Sequence, residues 1–461
     1  MTDRNSGAGN ELIGAEVMAR VLRRFGVKSV FALAGASQTH LLDRCDKLGM
    51  NIVPGRHESA TVGAADGYSR VTGKVGIAMV NVDQGMPNAI TGLQQAYEAC
   101  SPVVVLIGRE EDSWTEPELG HDHDVLGLVQ HCTKWARTVH SPSRLGEYLE
   151  AACRRALQGH PGPVALAFAK NYLPAKVLPG VDLDSLYAGV PSPAPSADDI
   201  SRAVDLISAA KRPMVIAGSG AFKSGAGAAL NALAHQFGIP VLTNNLARGM
   251  VPEDWRVGFG WPLAQTAAKD ADLVIWAGGR MMKKFGYGLA PRFPASTKTI
   301  QIDISGNEIG RSRPVDVGMA VDCKLALDAI VARLTEDEVK PFDPSWIGQS
   351  MKPRLDAIAA AGHETEGIHP YRLAREVEKR LPKDAIFVQD GASILVRCWA
   401  SMKINAPGGY IDTMPLGSMG MGMGLALGAV RGAQDLAAQH GGTPRRVVMI
   451  TGDGAFGFYP S

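Results

Sequence analysis

Short apolar runs that alternate with helical stretches constrain the fold of this 461-residue chain more than any other feature. In the first third of the chain, helical patterns at 11–25 and 59–71 separate runs that are predicted as strands. These runs lie at 29–33, 75–82, 103–107 and 164–168. Because strands that alternate with helices assemble into parallel sheets, the sequence predicts an α/β fold of doubly wound parallel sheets.

The same alternation recurs in two further blocks. The second block has apolar runs at 214–217, 240–243, 273–277 and 299–304, and the third has runs at 385–389 and 446–451. A proline-rich stretch and a polar, helix-prone stretch come between the blocks. We therefore predict three consecutive domains and two linkers, at 8–175, 176–197 (linker), 198–335, 336–365 (linker) and 366–461. A parallel sheet needs more strands than the third block holds, so we expect that domain to be incomplete and the natural chain to be longer.

The composition limits the classes of partner. The formal net charge is +1, from 47 basic and 46 acidic residues spread along the chain, so nucleic acid is not an expected partner. The six cysteines form no Cys-x-x-Cys pair, and the first residues lack the apolar stretch of a signal peptide. The uncharged segment 413–430 contains five glycines and one proline, which indicates a buried glycine-rich loop and helix start rather than a membrane span. We expect a cytoplasmic protein without membrane partners.

One motif stands at the end of the last apolar run, where the chain continues into Gly452-Asp453-Gly454. Glycine lets a backbone approach a diphosphate because it has no Cβ, and a carboxylate oxygen is a ligand that Mg²⁺ prefers. A plain tight turn explains these three residues equally well. A second motif near the front, His57-Glu58, precedes a helical stretch, where Glu58 is either an acid that stabilises the helix N-terminus or a catalytic carboxylate.

Together with further segments, these two motifs resemble the thiamine-diphosphate-dependent enzymes of the acetolactate synthase and benzaldehyde lyase group. The resemblance runs from Glu11 to Ser461. It rests on the ordered segments 14–16, 25–27, 30–31, 57–58, 88, 102–108, 133–135, 162–164, 212–213, 218–220, 301–304, 390–391, 417–422 and 452–454. It implies that the three domains are a pyrimidine-binding, a central and a partial diphosphate-binding domain.

The resemblance also implies a set of site residues. Glu58 would be the catalytic residue, since the glutamate of this family hydrogen-bonds the aminopyrimidine ring and so promotes removal of the thiazolium C2 proton. Asp453 would ligate Mg²⁺, with a second ligand expected beyond Ser461. Met419 would wedge between the two cofactor rings, a task that suits a flexible thioether. The implied cofactor-binding residues are Glu58, Asn88, Gly391, Gly417, Ser418, Met419, Gly452, Asp453 and Gly454.

Four positions depart from the family pattern or lie near its substrate pocket. Asp83 and Gln84 stand where synthases have the first residues of a Gly-Pro-Gly segment, which indicates a reshaped pocket or else a solvated turn. Ser37 stands where benzaldehyde lyase has a catalytic histidine. His121 is placed at the rim of the pocket, although the sequence His121-Asp122-His123-Asp124 also resembles part of a metal site.

The sequence of the central domain does not specify which ligand it binds. Gly218-Ser219-Gly220 begins a dinucleotide fingerprint, but Lys223 stands where the third glycine is expected. Relatives hold FAD or ADP in this domain or leave it empty, and we favour an empty structural domain.

The function implied by the resemblance is to make or break a carbon–carbon bond next to a carbonyl. A 2-keto acid is the first substrate class, as in acetolactate synthase. The alternative is a lyase for a 2-hydroxy ketone or a 2-hydroxyacyl-CoA, which the run Met419 to Met423 favours slightly. A non-catalytic scaffold or subunit is the second alternative, because the second metal ligand is missing. The family also implies a homodimer or homotetramer with active sites between subunits.

Overall fold

The protein is described by a computed structural model that covers residues 12–82, 84–114, 125–178, 183, 189–363 and 367–458. The chain divides into two compact units. The first contains residues 1–190, 413–444 and 453–461, and the second contains residues 191–412 and 445–452. Each unit is built from parallel sheets and helices, so the predicted α/β fold is confirmed.

The first unit contains a parallel six-stranded sheet and a separate pair of short antiparallel strands. The strands are β1 (Leu12–Ile13), β2 (Ser29–Ala32), β3 (Asn51–Pro54), β4 (Gly76–Asn81), β5 (Val103–Arg109), β6 (Trp135–Thr138), β7 (Val164–Ala169) and β8 (Lys176–Val177). In the large sheet the order is β3-β2-β4-β5-β7-β6. The four predicted strands are β2, β4, β5 and β7, whereas β3 and β6 at the two edges were not predicted.

Helices cover both faces of this sheet. They are α1 (Gly14–Arg24), α2 (Thr39–Lys47), α3 (Glu58–Thr72), α4 (Gly85–Glu98), α5 (Val125–Val129) and α6 (Leu145–Leu157). The same unit contains α15 (Met421–His440), which packs on α3, and α16 (Asp453–Phe456). Successive side chains of a strand point to opposite faces, so Ile77 and Met79 of β4 join one core cluster while Ala78 and Val80 join the other. A strand buried on both faces reads as a continuous apolar run, which is why these strands could be predicted.

The helices α3 and α15 pack unusually closely within the first unit. A Cβ added to Gly424 would lie 2.5 Å from the carbonyl oxygen of Ala60, and one added to Gly428 would lie 1.9 Å from that of Ala64. On the other helix, a Cβ on Gly67 would lie 2.2 Å from the oxygen of Leu425. Glycines spaced four apart therefore let the two backbones touch, as in other small-residue helix interfaces.

A buried polar group fixes α15 in place. One oxygen of Asp435, Oδ2, accepts hydrogen bonds from the Ser29 hydroxyl at 2.7 Å and from the Tyr68 hydroxyl at 3.0 Å. The other oxygen accepts from Arg431 Nε at 2.9 Å. Since a buried carboxylate is costly unless it is paired and hydrogen-bonded, these contacts couple α15 to β2 and α3. The segment 413–430 thus continues from a loop into a helix that is buried on one side, but the loop is exposed at 416–417 and 419, so the prediction of a buried loop is wrong.

The second unit contains two parallel sheets. The larger has the order β11-β10-β9-β12-β13-β14, from β9 (Pro213–Ala217), β10 (Val241–Thr243), β11 (Gly258–Gly260), β12 (Leu273–Ala277), β13 (Lys298–Asp303) and β14 (Val317–Ala320). The smaller has the order β16-β15-β17, from β15 (Ile386–Asp390), β16 (Tyr410–Asp412) and β17 (Val447–Thr451). Its helices are α7 (Ala197–Ala209), α8 (Ser219–Ser224), α9 (Gly227–His235), α10 (Trp261–Ala264), α11 (Cys323–Glu336), α12 (Ser345–Gly362), α13 (Pro370–Lys379) and α14 (Ser393–Ser401).

A buried ion pair joins the two sheets of the second unit. Arg248 and Glu253 are each 1% exposed and bond through two contacts, at 2.8 and 2.6 Å. Arg248 also donates to the carbonyl oxygen of Met402, and Glu253 accepts from the backbone N–H of Ile404. Breaking such a pair would leave one uncompensated buried charge, which typically costs about 3–5 kcal/mol.

The stretch predicted as the second linker contains the long helix α12. It buries Ile347, Met351 and Ile358 in the cluster that contains Trp261 and Phe285. Across the described ranges of the chain, no helix is both long enough and apolar enough to cross a membrane.

Candidate active site

The candidate residues of the first unit gather at the carboxyl ends of the strands of its sheet. Ser37 follows β2, Glu58 follows β3, and α4 with Asn88 follows β4. In open parallel sheets, ligands bind outside this edge because the loops that follow the strands meet there. The fold therefore brings together residues that are up to 51 positions apart in sequence.

Glu58 is the first residue of α3 and is only 8% exposed. The helix begins after His57, whose Nδ1 accepts a hydrogen bond from the backbone N–H of Ser59 at 3.2 Å. At this end the unpaired N–H groups of the helix favour a negative charge. Twelve of the fifteen residues of α3 are buried, so the helix holds the carboxylate on a rigid element.

Asn88 of α4 orients the Glu58 carboxylate. Its Nδ2 donates to Glu58 Oε2 at 3.1 Å. The backbone oxygen of Asn88 accepts in turn from the Ser59 hydroxyl at 2.5 Å, so α3 and α4 are joined at two points. Among the described residues, the other carboxylate oxygen of Glu58, Oε1, takes no hydrogen bond. A Cβ added to Gly85 would lie 3.5 Å from this oxygen, which shows how closely α4 passes it.

The loop before α15 lies at the same end of the helix pair as Glu58. Contacts between α3 and α15 advance in the same direction along both helices, from Gly424 with Ala60 to Gly432 with Val71. The two helices are therefore parallel, and their first residues lie together. Gly417 (φ +76°) and Gly420 (φ +89°) have left-handed backbone conformations that favour glycine, and between them Met419 is 38% exposed. An exposed methionine at this end is free to contact a ligand.

In the second unit, two strand ends meet at a pair of glycines. The parallel strands β15 and β17 are in register, with Asp390 opposite Thr451, so that Gly391 and Gly452 follow side by side. A Cβ on Gly391, whose φ is +104°, would lie 3.0 Å from the backbone nitrogen of Gly452. The buried Asp390 accepts from the Gly391 N–H at 2.6 Å. This glycine pair leaves the backbone bare at the carboxyl edge of the sheet, as close contact with a diphosphate requires.

Family models and relatives agree on one assignment for the chain. Residues 13–131 match the model "Thiamine pyrophosphate enzyme, N-terminal TPP binding domain", residues 200–330 match its central domain, and residues 393–460 match its C-terminal TPP binding domain. The acetolactate synthase large subunit IlvG of Mycobacterium tuberculosis is 30% identical over 449 residues, which are 96% of this chain and 78% of that protein. The chain belongs to the thiamine pyrophosphate enzyme family.

The further relatives of this thiamine pyrophosphate enzyme include lyases, and a decarboxylase shares its fold. The 2-hydroxyacyl-CoA lyase 1 of Mus musculus is 26% identical over 99% of this chain and 80% of that protein. Among solved structures, the thiamine diphosphate-dependent 4-hydroxybenzoylformate decarboxylase of Rhodococcus jostii RHA1 has the same fold, with a TM-score of 0.80 over 97% of this chain and 82% of that one, at 22% identity. The chain is thus an enzyme of the thiamine-diphosphate-dependent transferases and lyases, and the scaffold alternative is not carried further.

The residues of this thiamine pyrophosphate enzyme fit thiamine diphosphate at two places. Glu58 presents a buried carboxylate with one oxygen unbonded among the described residues, which matches a hydrogen-bond donor on a ring. The bare backbone at Gly391 and Gly452 matches a diphosphate. At Gly454, a Cβ would meet nothing within 4 Å.

Asp453 is the metal ligand that the sequence predicts. Asp453 is the exposed first residue of α16, and no group of three or more His, Cys, Asp or Glu side chains able to hold a metal ion occurs in the described part of the chain. A magnesium site at Asp453 therefore stays a prediction.

The structure describes two of the four predicted pocket residues, Ser37 and Gln84. The Ser37 hydroxyl donates to Asn81 Oδ1 at 2.8 Å, and Gln84 is an exposed residue immediately before α4. Asp83 and His121 lie outside the described residues, as do His123 and Asp124, so their predicted roles remain predictions.

Asn81, the last residue of β4, was missed as a candidate. It lies between Ser37 and Gly85, where a Cβ on Gly85 would come within 3.6 Å of the Asn81 Cβ. The signal that could have revealed it is a polar residue at the end of an apolar run, at the edge where ligands bind.

The fingerprint loop of the central domain is closed by backbone contacts. The N–H of Gly220 donates to the carbonyl oxygen of Gly278 at 2.8 Å, and a Cβ on Gly218 would lie 2.5 Å from that oxygen. A donor already engaged in this way is not available to a phosphate. Whether FAD, ADP or no ligand occupies the domain stays a prediction.

Proposed function

We propose that this enzyme makes or breaks a carbon–carbon bond next to a carbonyl, acting first on a 2-keto acid in the manner of its acetolactate synthase relatives. The observation that carries the proposal is the Glu58 carboxylate, which is buried at the start of α3, oriented by Asn88 and placed at the same end as the Met419 loop. Thiamine diphosphate, when bound, supplies the electron sink that this chemistry needs.

Each candidate site residue has a proposed task. Glu58 holds or moves a proton at the aminopyrimidine ring through its unbonded oxygen, and Asn88 keeps the carboxylate in position. Met419 packs against the cofactor rings. The backbones of Gly417, Ser418, Gly391, Gly452 and Gly454 approach the cofactor, with Asp453 directed to Mg²⁺.

The second candidate is a lyase acting on a 2-hydroxy ketone or a 2-hydroxyacyl-CoA. The 2-hydroxyacyl-CoA lyase of Mus musculus matches 99% of the chain. The side chain of Met421, at the start of α15, packs against Gly63 of α3, within reach of the Glu58 end of the helix pair. Both candidates need the same Glu58, so they differ in the substrate pocket and not in the proton-transfer residue.

The test is a comparison of the wild-type chain with the Glu58→Gln variant, which keeps the side-chain shape but removes the carboxylate. We expect turnover to fall at least about a hundredfold, which is the usual contribution of a general acid–base residue. Glu147→Gln is the control and should leave turnover unchanged, because Glu147 of α6 forms an exposed ion pair with Arg144, the residue before that helix.

Three substrates separate the candidates. Turnover of pyruvate is measured through CO₂ release and acetolactate formation. Cleavage of benzoin or of a 2-hydroxyacyl-CoA is measured through aldehyde release. Turnover of pyruvate supports the first candidate, and cleavage of either other substrate without pyruvate turnover supports the second. If calorimetry shows binding of thiamine diphosphate with Mg²⁺ but Glu58→Gln turns over as fast as wild type, the proposed role of Glu58 is wrong.

A further inference from the structure

Cys100 follows the end of α4, at a position of the helix-ending motif that usually holds glycine. The helix closes with the two hydrogen bonds of a Schellman motif, from Cys100 N–H to Tyr97 oxygen at 3.0 Å and from Ser101 N–H to Ala96 oxygen at 2.9 Å. This motif needs a left-handed residue, and Cys100 has φ 56°. The helices α1 and α2 end in the same way with Gly26 and Gly49, the residue type that fits without strain.

The Cys100 side chain faces an imidazole. Its Sγ lies 3.1 Å from Nε2 of His160, a partly exposed residue from the turn that follows α6. Cationic side chains lie at this corner, and burial lowers the pKa of Lys134 from 10.5 to about 8. The Lys134 ammonium interacts electrostatically with Cys100 and with Arg155, and Lys134 Nζ is held by the carbonyl oxygens of Arg155 and Gln158, at 2.7 Å each.

The same helix also provides an acceptor for the thiol. The Cys100 Sγ–H donates to the backbone oxygen of Glu98 at 3.7 Å, and the Glu98 carboxylate accepts from Gln94 Nε2 at 3.2 Å. The imidazole can take the thiol proton and both cations attract a negative sulfur, which favours the thiolate, whereas the carbonyl end of α4 opposes it.

The other five cysteines differ from Cys100. They are buried, whereas Cys100 is partly exposed. Burial raises the pKa of the Cys132 thiol to about 11 and those of Cys45, Cys153 and Cys398 to about 12. The pKa of Cys323 is raised as well, by burial and by Asp303 and Asp322. These five thiols are expected to be inert. The reactivity of Cys100 can therefore be measured relative to five other cysteines of the same chain.

We propose that Cys100 is a reactive thiolate, activated by His160, and that it is a site of oxidation by hydroperoxides. The thiol proton passes to His160 Nε2, and the sulfur attacks the terminal oxygen of ROOH. An S–O bond forms, the O–O bond breaks, and the leaving alkoxide takes the proton from His160. The balance is RSH + ROOH → RSOH + ROH, in which sulfur is oxidised and the peroxide is reduced.

The site is separate from the candidate active site. Asn88, which contacts Glu58, lies in the first turn of α4, and Cys100 follows its last turn. A helix of this length separates its ends by about 20 Å. The proposal therefore does not rest on the proposed function and can fail independently of it.

The experiment uses the full chain with iodoacetamide as the probe, and the alkylation of each cysteine is followed by peptide mass spectrometry across a pH series. We expect Cys100 to react at least about tenfold faster than a small free thiol near pH 6.5, since its thiolate is already formed there. In His160→Gln the rate should fall to that of the free thiol and its midpoint should rise toward the ordinary thiol pKa. His140→Gln, at another exposed histidine, is the control and should react as wild type.

A second readout tests the oxidation itself. Hydrogen peroxide followed by dimedone should label Cys100 in wild type, less in His160→Gln, and not at all in Cys100→Ser. An alkylation midpoint for wild-type Cys100 at or above about pH 8 overturns the proposal, even if His160→Gln does not fold, because the thiol would then be ordinary. Equal peroxide labelling of wild type and His160→Gln also overturns it.

Discussion

At the scale of single residues, Lys284 is a cation whose environment opposes its charge. Its ammonium donates to Asn245 Oδ1 at 2.6 Å and lies 5.7 and 5.6 Å from the ring centroids of Phe285 and Trp399. Burial lowers its pKa from 10.5 to about 8, although the carboxylate of Asp412 works in the opposite direction. A lysine with a lowered pKa destabilises the folded state at neutral pH, because folding must hold a charge that water solvates better.

The sign of the pH dependence follows from the proton count. Between about pH 8 and 10.5 the unfolded chain keeps a proton that folded Lys284 has released, so the stability of wild type rises with pH in this window. We expect Lys284→Met to increase the free energy of unfolding by about 1–2 kcal/mol near neutral pH, after subtraction of the lost hydrogen bond. Denaturant unfolding at several pH values should show this gain shrinking above about pH 8.

Lys283→Met is the matched control, because the neighbouring Lys283 is exposed and its replacement should change stability little at any pH. A gain from Lys284→Met that stays constant up to high pH would mean that packing and not charge is responsible.

The residue types of the candidate site could be predicted, but their contacts could not. Glu58, Asn88 and Met419 were all expected in the site, on the family resemblance. The hydrogen bond from Asn88 to Glu58 joins residues 30 positions apart and depends on how α3 and α4 pack. No local pattern specifies that packing. Asn81 did carry a local signal, as a polar residue at the end of an apolar run, and it was missed although that signal was present.

At the scale of elements, the close pair of α3 and α15 depends on glycine. The glycines 424, 428 and 432 are spaced by four along one face of α15. We expect Gly428→Ala to destabilise the protein by roughly 3 kcal/mol, because the new methyl group would lie 1.9 Å from the Ala64 oxygen and 2.6 Å from the Tyr68 nitrogen. Thermal and denaturant unfolding measure this directly.

The same substitution on another helix provides the control. A Cβ on Gly348 of α12 meets nothing within 4 Å, so Gly348→Ala should stabilise the chain by up to about 1 kcal/mol through helix propensity alone. If both variants are stabilised, the close approach of α3 and α15 is not maintained in solution.

Elements buried on both sides were predictable, whereas short edge strands were not. The central strands β4, β5, β9 and β12 read as apolar runs, because all of their residues except the last ones of β4 and β5 are buried. The edge strand β11 is Gly-Phe-Gly and β16 has three residues, too few for any periodicity. Their positions are set by pairing with a neighbouring strand, which is tertiary information.

At the scale of the whole molecule, the predicted domain boundaries and the sharing of sites between subunits stay predictions. Within the first unit, α15 packs on α3 of the same chain, so that Glu58 and the Met419 loop belong to one chain there. The family resemblance implies instead that Glu58 serves a cofactor held by the Asp453 side of a partner. These two arrangements differ in which residues must come from the same chain.

Mixing two inactive variants distinguishes them. Glu58→Gln and Asp453→Asn are expected to be inactive alone, because each removes one proposed contact to the cofactor or its metal. If sites are shared in a symmetric dimer, co-expression should restore about a quarter of the wild-type activity, since half of the dimers are mixed and each of these has one intact site of two. Co-expression of Glu58→Gln with Glu58→Ala is the control, and it should restore nothing because both lesions affect the same position. Recovery only in the first mixture establishes sharing between subunits, and the absence of recovery in a dimer shown to be mixed would mean that each chain builds its own site.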